Sequence, residues 1–213
     1  MKTLLAYFVS LFLFGFTGSA IAQELTPDQL VQKITEDVLA AVKSDKQLAA
    51  GDKQRALKLA EEKILPHVDF EEATRLAVGR AWQQASPEQR KKLVDEFQKM
   101  LVRTYSNAIE GYQGQTLKIM PSRAKPSDDD ATVRAQFIRA GGQPLPIEFH
   151  ARKTQGGWKI YDIAVEGVSL VLTYRSEFDQ VTKQGGIDSL IKRLSEKNTP
   201  ASVGGTAGGV PGK

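Results

Sequence analysis

The chain has 213 residues, 41% of them hydrophobic, with 29 Lys and Arg against 25 Asp and Glu, two His and no Cys. Without cysteine there are no disulfides, no thiol chemistry and no cysteine metal sites, so the core has to hold by packing alone. A net charge of +4 with both signs interspersed describes a solvated surface, not the concentrated basic patch of a nucleic-acid binder.

The first residues, MKTLLAYFVSLFLFGFTGSAIAQE, set Lys2 before an apolar run from Leu4 to Phe16 and a small-residue site at Ala20-Ile21-Ala22. This pattern predicts a secretory signal peptide over residues 1–22, cut after Ala22. The alternative, a membrane anchor, needs an apolar run of ~20 residues and a charged stop-transfer segment, and neither is there. Loss of Lys2 lowers the net charge from +4 to about +3. The expected product is a soluble exported protein, a single domain over residues 23–198. The last fifteen residues, TPASVGGTAGGVPGK, hold five glycines and two prolines without an apolar period, so 199–213 reads as a disordered tail.

Thr26-Pro27 predicts an N-cap and a first-position proline, followed by Leu30, Ile34, Val38 and Ala41 at helical spacing to about Ser44. A second helix is expected from Lys53 to Leu65, stopped by Pro66, and a third from Phe70 towards Trp82, capped by Asp69. Ser86-Pro87-Glu88-Gln89 is a capping box. It opens a long helix whose Leu93, Phe97, Met100, Leu101, Thr104, Tyr105, Ala108 and Tyr112 share one broad stripe, closed by Gly111 and Gly114.

The period then falls from about 3.6 to 2. Leu117 and Ile119, then Val133, Ala135 and Phe137, then Leu145, Ile147, Phe149 and Ala151, then Trp158, Ile160 and Asp162 predict four strands, each group on one face. Turn chemistry at Pro126 to Asp130, Gly141-Gly142 and Gln155-Gly156-Gly157 makes the connections short and the strands antiparallel. After Gly167 the pattern returns to helix, from Ser169 to Val181 and again beyond the break at Gly185-Gly186, with Leu170, Val171, Tyr174 and Phe178 on the side that closes over the sheet. Helices, a four-stranded antiparallel sheet and a closing helix pair make an α+β domain.

Chemistry-bearing motifs are scarce. No nucleophile elbow, phosphate-binding glycine loop or paired-histidine zinc motif occurs, and Asp128-Asp129-Asp130 lacks the spacing of a calcium loop. His67 and His150 read as surface or outer-layer residues. Asp162 is the one candidate functional carboxylate, with an ion pair to Arg134 or Arg175 as its alternative fate. The inward aromatics either fill an ordinary core or line an apolar cavity left between long helix and sheet.

The segment GVSLVLTYRSEF followed by GGIDSLIKRLSEKN resembles the closing signature of the toluene-tolerance (MlaC) family, at Gly167, Val168, Ser169, Leu170, Tyr174, Arg175, Phe178, Gly186, Leu190, Ile191, Leu194, Lys197 and Asn198. YSNAIEGY from Tyr105 and GGWKIYDIAVEG from Gly156 extend the likeness over most of the mature chain. The resemblance implies a non-enzymatic periplasmic carrier that holds a diacyl glycerophospholipid, without a cofactor, in an apolar pocket between sheet and helices. It further implies shuttling between an MlaA-type outer-membrane lipoprotein complex and an MlaD-type component of an inner-membrane ABC transporter, in maintenance of outer-membrane lipid asymmetry. On this reading the expected pocket residues are Phe97, Leu101, Tyr105, Phe137, Ile147, Phe149, Ile160, Leu170, Val171 and Tyr174, with Arg175 facing the head group or held in a structural ion pair. A lipid-free transporter adaptor and a small periplasmic hydrolase or isomerase remain the competing readings.

Overall fold

A computed structural model describes residues 25–105, 115–121, 124, 127–139 and 141–199. The signal-peptide and tail expectations, and the end of the long helix at Ala108 to Gly114, lie outside them. Six helices are described: α1 (Pro27–Ser44), α2 (Lys46–Ala49), α3 (Lys53–Lys63), α4 (Phe70–Val78), α5 (Pro87–Tyr105) and α6 (Arg175–Asn198). Five strands accompany them: β1 (Thr116–Ile119), β2 (Asp130–Ile138), β3 (Leu145–Thr154), β4 (Gly157–Val165) and β5 (Val168–Ser169). The fold is α+β, and the sheet is an antiparallel meander in the order β1-β2-β3-β4-β5.

Helix starts follow the caps in the sequence. Thr26 and Gln29 bond reciprocally at the head of α1, as Ser86 and Gln89 do at α5, so each box satisfies two otherwise orphaned amides. The Asp69 carboxylate accepts from the Glu72 amide at the start of α4. The α4 helix stops at Val78, and Gly79 to Gln84 continue as a 3-10 turn.

The structure departs from three expectations at and after the sheet. A fifth strand follows β4 because Glu166 and Gly167 both take positive φ, 52° and 80°, which turns the chain back at once and pairs Val165 with Val168. The residues from Ser169 therefore do not start a helix; Ser169 closes β5, Leu172–Tyr174 form a 3-10 turn, and α6 begins only at Arg175. Asp162 does not share a face with Trp158 and Ile160. Ala151 pairs with Ile160 but His150 pairs with Asp162, so Tyr161 is the extra residue of a β-bulge, and beyond it the alternation of β4 is reversed.

Buried apolar side chains collect in three separate clusters among the described residues. One lies among α4, α5, α6 and Val171, around Leu93, Phe97, Phe178, Leu190 and Leu194. A second joins Leu30 and Val31 of α1 to Val133, Ala151, Trp158 and Ile160 of the sheet. The third holds the far end of α1 against α2 and α3 through Val42, Leu48, Ala56 and Leu59. Glu72 ties the helical layer to the sheet: its carboxylate accepts from Arg75 on α4 and, at 2.7 Å, from Arg152 on β3.

Candidate functional site

One face of the sheet is apolar from β1 to β4. Across it the register sets Leu117 beside Phe137 beside Leu145, Ile119 beside Ala135 beside Ile147 beside Val165, and Val133 beside Phe149 beside Ile163. Alternation along each strand puts every one of these on the same side. The two ends of this face differ. Val133, Ala151 and Ile160 are buried under α1, whereas Phe137, Leu145, Ile147, Ile163 and Val165 are only half-buried. Phe137, Leu145 and Ile147 pack in none of the three buried clusters. Among the described residues this leaves Phe137, Leu145 and Ile147 without the close packing that normally accompanies aliphatic and aromatic side chains, while Leu117, Ile119, Phe149 and Ile163 pack against the sheet cluster.

The helical side carries an aromatic group. Phe97 meets Tyr174 and Phe178 edge-on at 5.4 Å and 5.3 Å between ring centroids, and Tyr174 stacks on Phe178 at 5.7 Å. Leu101 packs half-buried on this aromatic group, and Tyr105, 36% exposed, lies one helical turn further along α5. Burial and the neighbouring Tyr105 hydroxyl push the Tyr174 phenol far above its ordinary range, so it stays neutral.

The expected pocket residues accordingly fall into two sets. Phe97, Leu101, Tyr105, Val171 and Tyr174 belong to the helical side, with Phe97 and Val171 fully enclosed in its cluster. Phe137, Ile147, Phe149 and Ile160 belong to the sheet, with Ile160 enclosed beneath α1. Leu170 sits where the sheet hands the chain over, its amide donating to the Ile163 carbonyl at 2.8 Å. Ile163 and Val165 were missed as wall residues because the bulge at Tyr161 brings them onto the apolar face; their alternation, one residue out of phase with Trp158 and Ile160, is the only sign of it in the sequence.

The candidate carboxylate has a structural task. Asp162 is buried and accepts from the amides of Ile163 at 2.8 Å and Val171 at 3.1 Å, fastening the segment after β5 to β4. Neither expected arginine reaches it. Arg134 pairs with Glu148 across the sheet, and Arg175 lies against Gly79 with no ion pair among the described residues. His150 contacts Thr132 at 3.2 Å and stacks on Tyr161, while burial lowers the pKa of His67. Among the described residues no group of three or more His, Asp or Glu is arranged to hold a metal ion.

Residues 32–196 match the MlaC protein family. The chain belongs to this family. Among its MlaC relatives, the intermembrane phospholipid transport system binding protein MlaC of Haemophilus influenzae is 26% identical over 197 residues, 91% of either chain. The toluene tolerance protein ttg2D of Pseudomonas putida is 24% identical over 166 residues, 76% of each. A solved phospholipid-binding protein from Ralstonia solanacearum, in complex with a phospholipid, superposes with a TM-score of 0.75 at 36% identity, covering 82% of this chain and 97% of its own.

Proposed function

We propose that this member of the MlaC family is a periplasmic phospholipid carrier that takes the acyl chains between the half-buried apolar sheet face and the aromatic surface of α5 and the segment before α6. The observation that carries this reading is the division of the core. A domain of this size ordinarily closes one continuous apolar interior, yet among the described residues the sheet and helical clusters stay separate and leave Phe137, Leu145 and Ile147 outside both. The phospholipid held by the 36%-identical Ralstonia protein supports the same ligand here. The engagement of Asp162 with two backbone amides supports a non-enzymatic role, because it takes up the one buried carboxylate that sequence reasoning singled out.

Within this reading Leu101, Tyr105, Phe137, Ile147, Phe149, Leu170 and Tyr174 line the pocket, and Phe97, Ile160 and Val171 back it. The signal peptide delivers the chain to the periplasm, and the lipid passes between an MlaA-type outer-membrane complex and an MlaD-type component of an inner-membrane transporter, in maintenance of outer-membrane lipid asymmetry. Transfer thermodynamics fits a passive carrier. At about 0.8 kcal/mol per methylene, two tails with on the order of 30 methylenes represent ~24 kcal/mol of gross burial, so escape through water is very slow. Exchange with a bilayer is nearly neutral because the tails are dry on both sides, and hand-off needs a docked complex that opens the pocket.

The test is native mass spectrometry of the full-length protein recovered from its own periplasm, followed by solvent extraction. The expected result is a bound mass equal to that of a two-chain phospholipid. A protein that is empty under conditions where a known lipid carrier retains its ligand overturns the reading and leaves the lipid-free adaptor.

A further inference from the structure

A second concavity lies away from the sheet. The 3-10 turn after α4 and the first half of α6 enclose a groove of about 1000 Å³. Val78, Ala81, Leu172 and Ile187 contribute its apolar surface, Arg80 and Arg175 stand in it, and no residue of β1–β4 lines it. Leu172 is 43% exposed, far more than a leucine needs to be beside so large a helical core.

The charges of the groove are unbalanced. Lys183 is neutralised by Asp179 at 2.6 Å, but neither Arg80 nor Arg175 has an ion pair among the described residues. The Arg175 guanidinium lies close to the backbone of Gly79. Gly79 has φ +66°, a conformation that favours glycine, and a β-carbon there would come within 3.1 Å of both Nε and Nη2. Arginine without an ion pair among the described residues, beside exposed apolar surface, is a feature enriched at protein interfaces.

We infer that this groove is the docking site for an acidic segment of a partner protein, one that presents an apolar side chain between carboxylates. The inference rests on the carrier reading, in which lipid is released only after docking. Charge complementarity selects the occupant: two guanidinium groups without an ion pair among the described residues, in a concave site, suit paired carboxylates, while anionic membrane recognition relies on clusters of 4–8 Lys or Arg. A bound lipid's head group is a poorer match, since the apolar face of the sheet contributes nothing to the groove.

The experiment places the photo-crosslinker p-benzoylphenylalanine at Ser176, on the groove wall, in the full-length chain in the cell that makes it, and maps the adduct by mass spectrometry. The expected adduct is a protein segment with at least two Asp or Glu flanking an apolar residue. Its yield falls roughly tenfold with Arg80→Glu/Leu172→Glu and severalfold with the milder Arg80→Gln, and it declines with added salt. An adduct to lipid alone, an adduct to a basic or uncharged segment, an undiminished yield in both variants, or no adduct overturns the inference. The same variants are weighed for bound phospholipid. Loss of lipid in Arg80→Gln while the wild type retains it assigns the groove to the lipid site and also overturns the inference. A wild-type protein without lipid defeats the carrier reading instead, and the adduct still decides the groove.

Discussion

Single side chains on the apolar face of this protein look alike in sequence and differ in what surrounds them. Ile147 and Val171 are both aliphatic, yet Ile147 is half-buried outside every packed cluster while Val171 is 5% exposed inside the helical one. Ile147→Glu is therefore expected to leave the urea midpoint near wild type and to remove most co-purified phospholipid. Val171→Glu puts a carboxylic acid among Phe97, Phe178 and their neighbours, where an uncompensated polar group costs roughly 2–7 kcal/mol, and is expected to shift the midpoint strongly or abolish folding. Equal midpoints for the two variants, or wild-type lipid content in Ile147→Glu, contradict this assignment. Nothing in the alternation of β3 distinguishes these environments, because the burial of Ile147 depends on residues distant in sequence.

At the scale of elements, the decisive features are interruptions of regular structure. The extra residue Tyr161 turns Asp162 away from Ile160 and brings Ile163 and Val165 onto the apolar face. In α6, Gly186 takes φ 73° and ψ −173°, a conformation open essentially only to glycine, and bends the helix so that Phe178 on one side and Leu190 and Leu194 on the other enter the same cluster. Gly186→Ala is expected to lower unfolding free energy by about 1–3 kcal/mol. The measurement is chemical denaturation at constant slope; an unchanged or raised midpoint shows that the bend is not required. The glycine pair was readable as a break, since two consecutive glycines inside a helical pattern signal one. The late start of α6 was not readable, because the apolar spacing from Leu170 to Phe178 suits a helix as well as it suits the strand, turn and helix that occur there.

For the molecule as a whole, α4 and the sheet are joined by charge as well as by packing. The Glu72 carboxyl is held below its ordinary pKa of 4.5, first by its hydrogen bond with Arg75 and then by the charges of Arg75 and Arg152, against the opposing effect of burial. A group whose pKa is lower folded than unfolded adds stability above the unfolded value, and that stability is lost as pH falls through the folded value. His67, lowered by burial, acts in the same direction from about 6.5 downwards. The melting temperature is thus expected to fall on acidification, gently below about 6.5 and more steeply below about 4.5. Glu72→Gln should flatten the lower limb, and an unaltered pH profile in that variant excludes this origin. By itself the sequence determined the caps of α1, α4 and α5, the antiparallel strands, the family signature and the lack of catalytic motifs, because local hydrogen bonding and side-chain periodicity are written in neighbouring residues. Only the tertiary structure decided that the bulge rephases β4, that Asp162 binds backbone amides, that Arg175 lies against Gly79, and that the described apolar residues divide into separate clusters with Phe137, Leu145 and Ile147 outside them. These are contacts and absences of contact between residues distant in sequence, and a local pattern holds no record of what fails to pack.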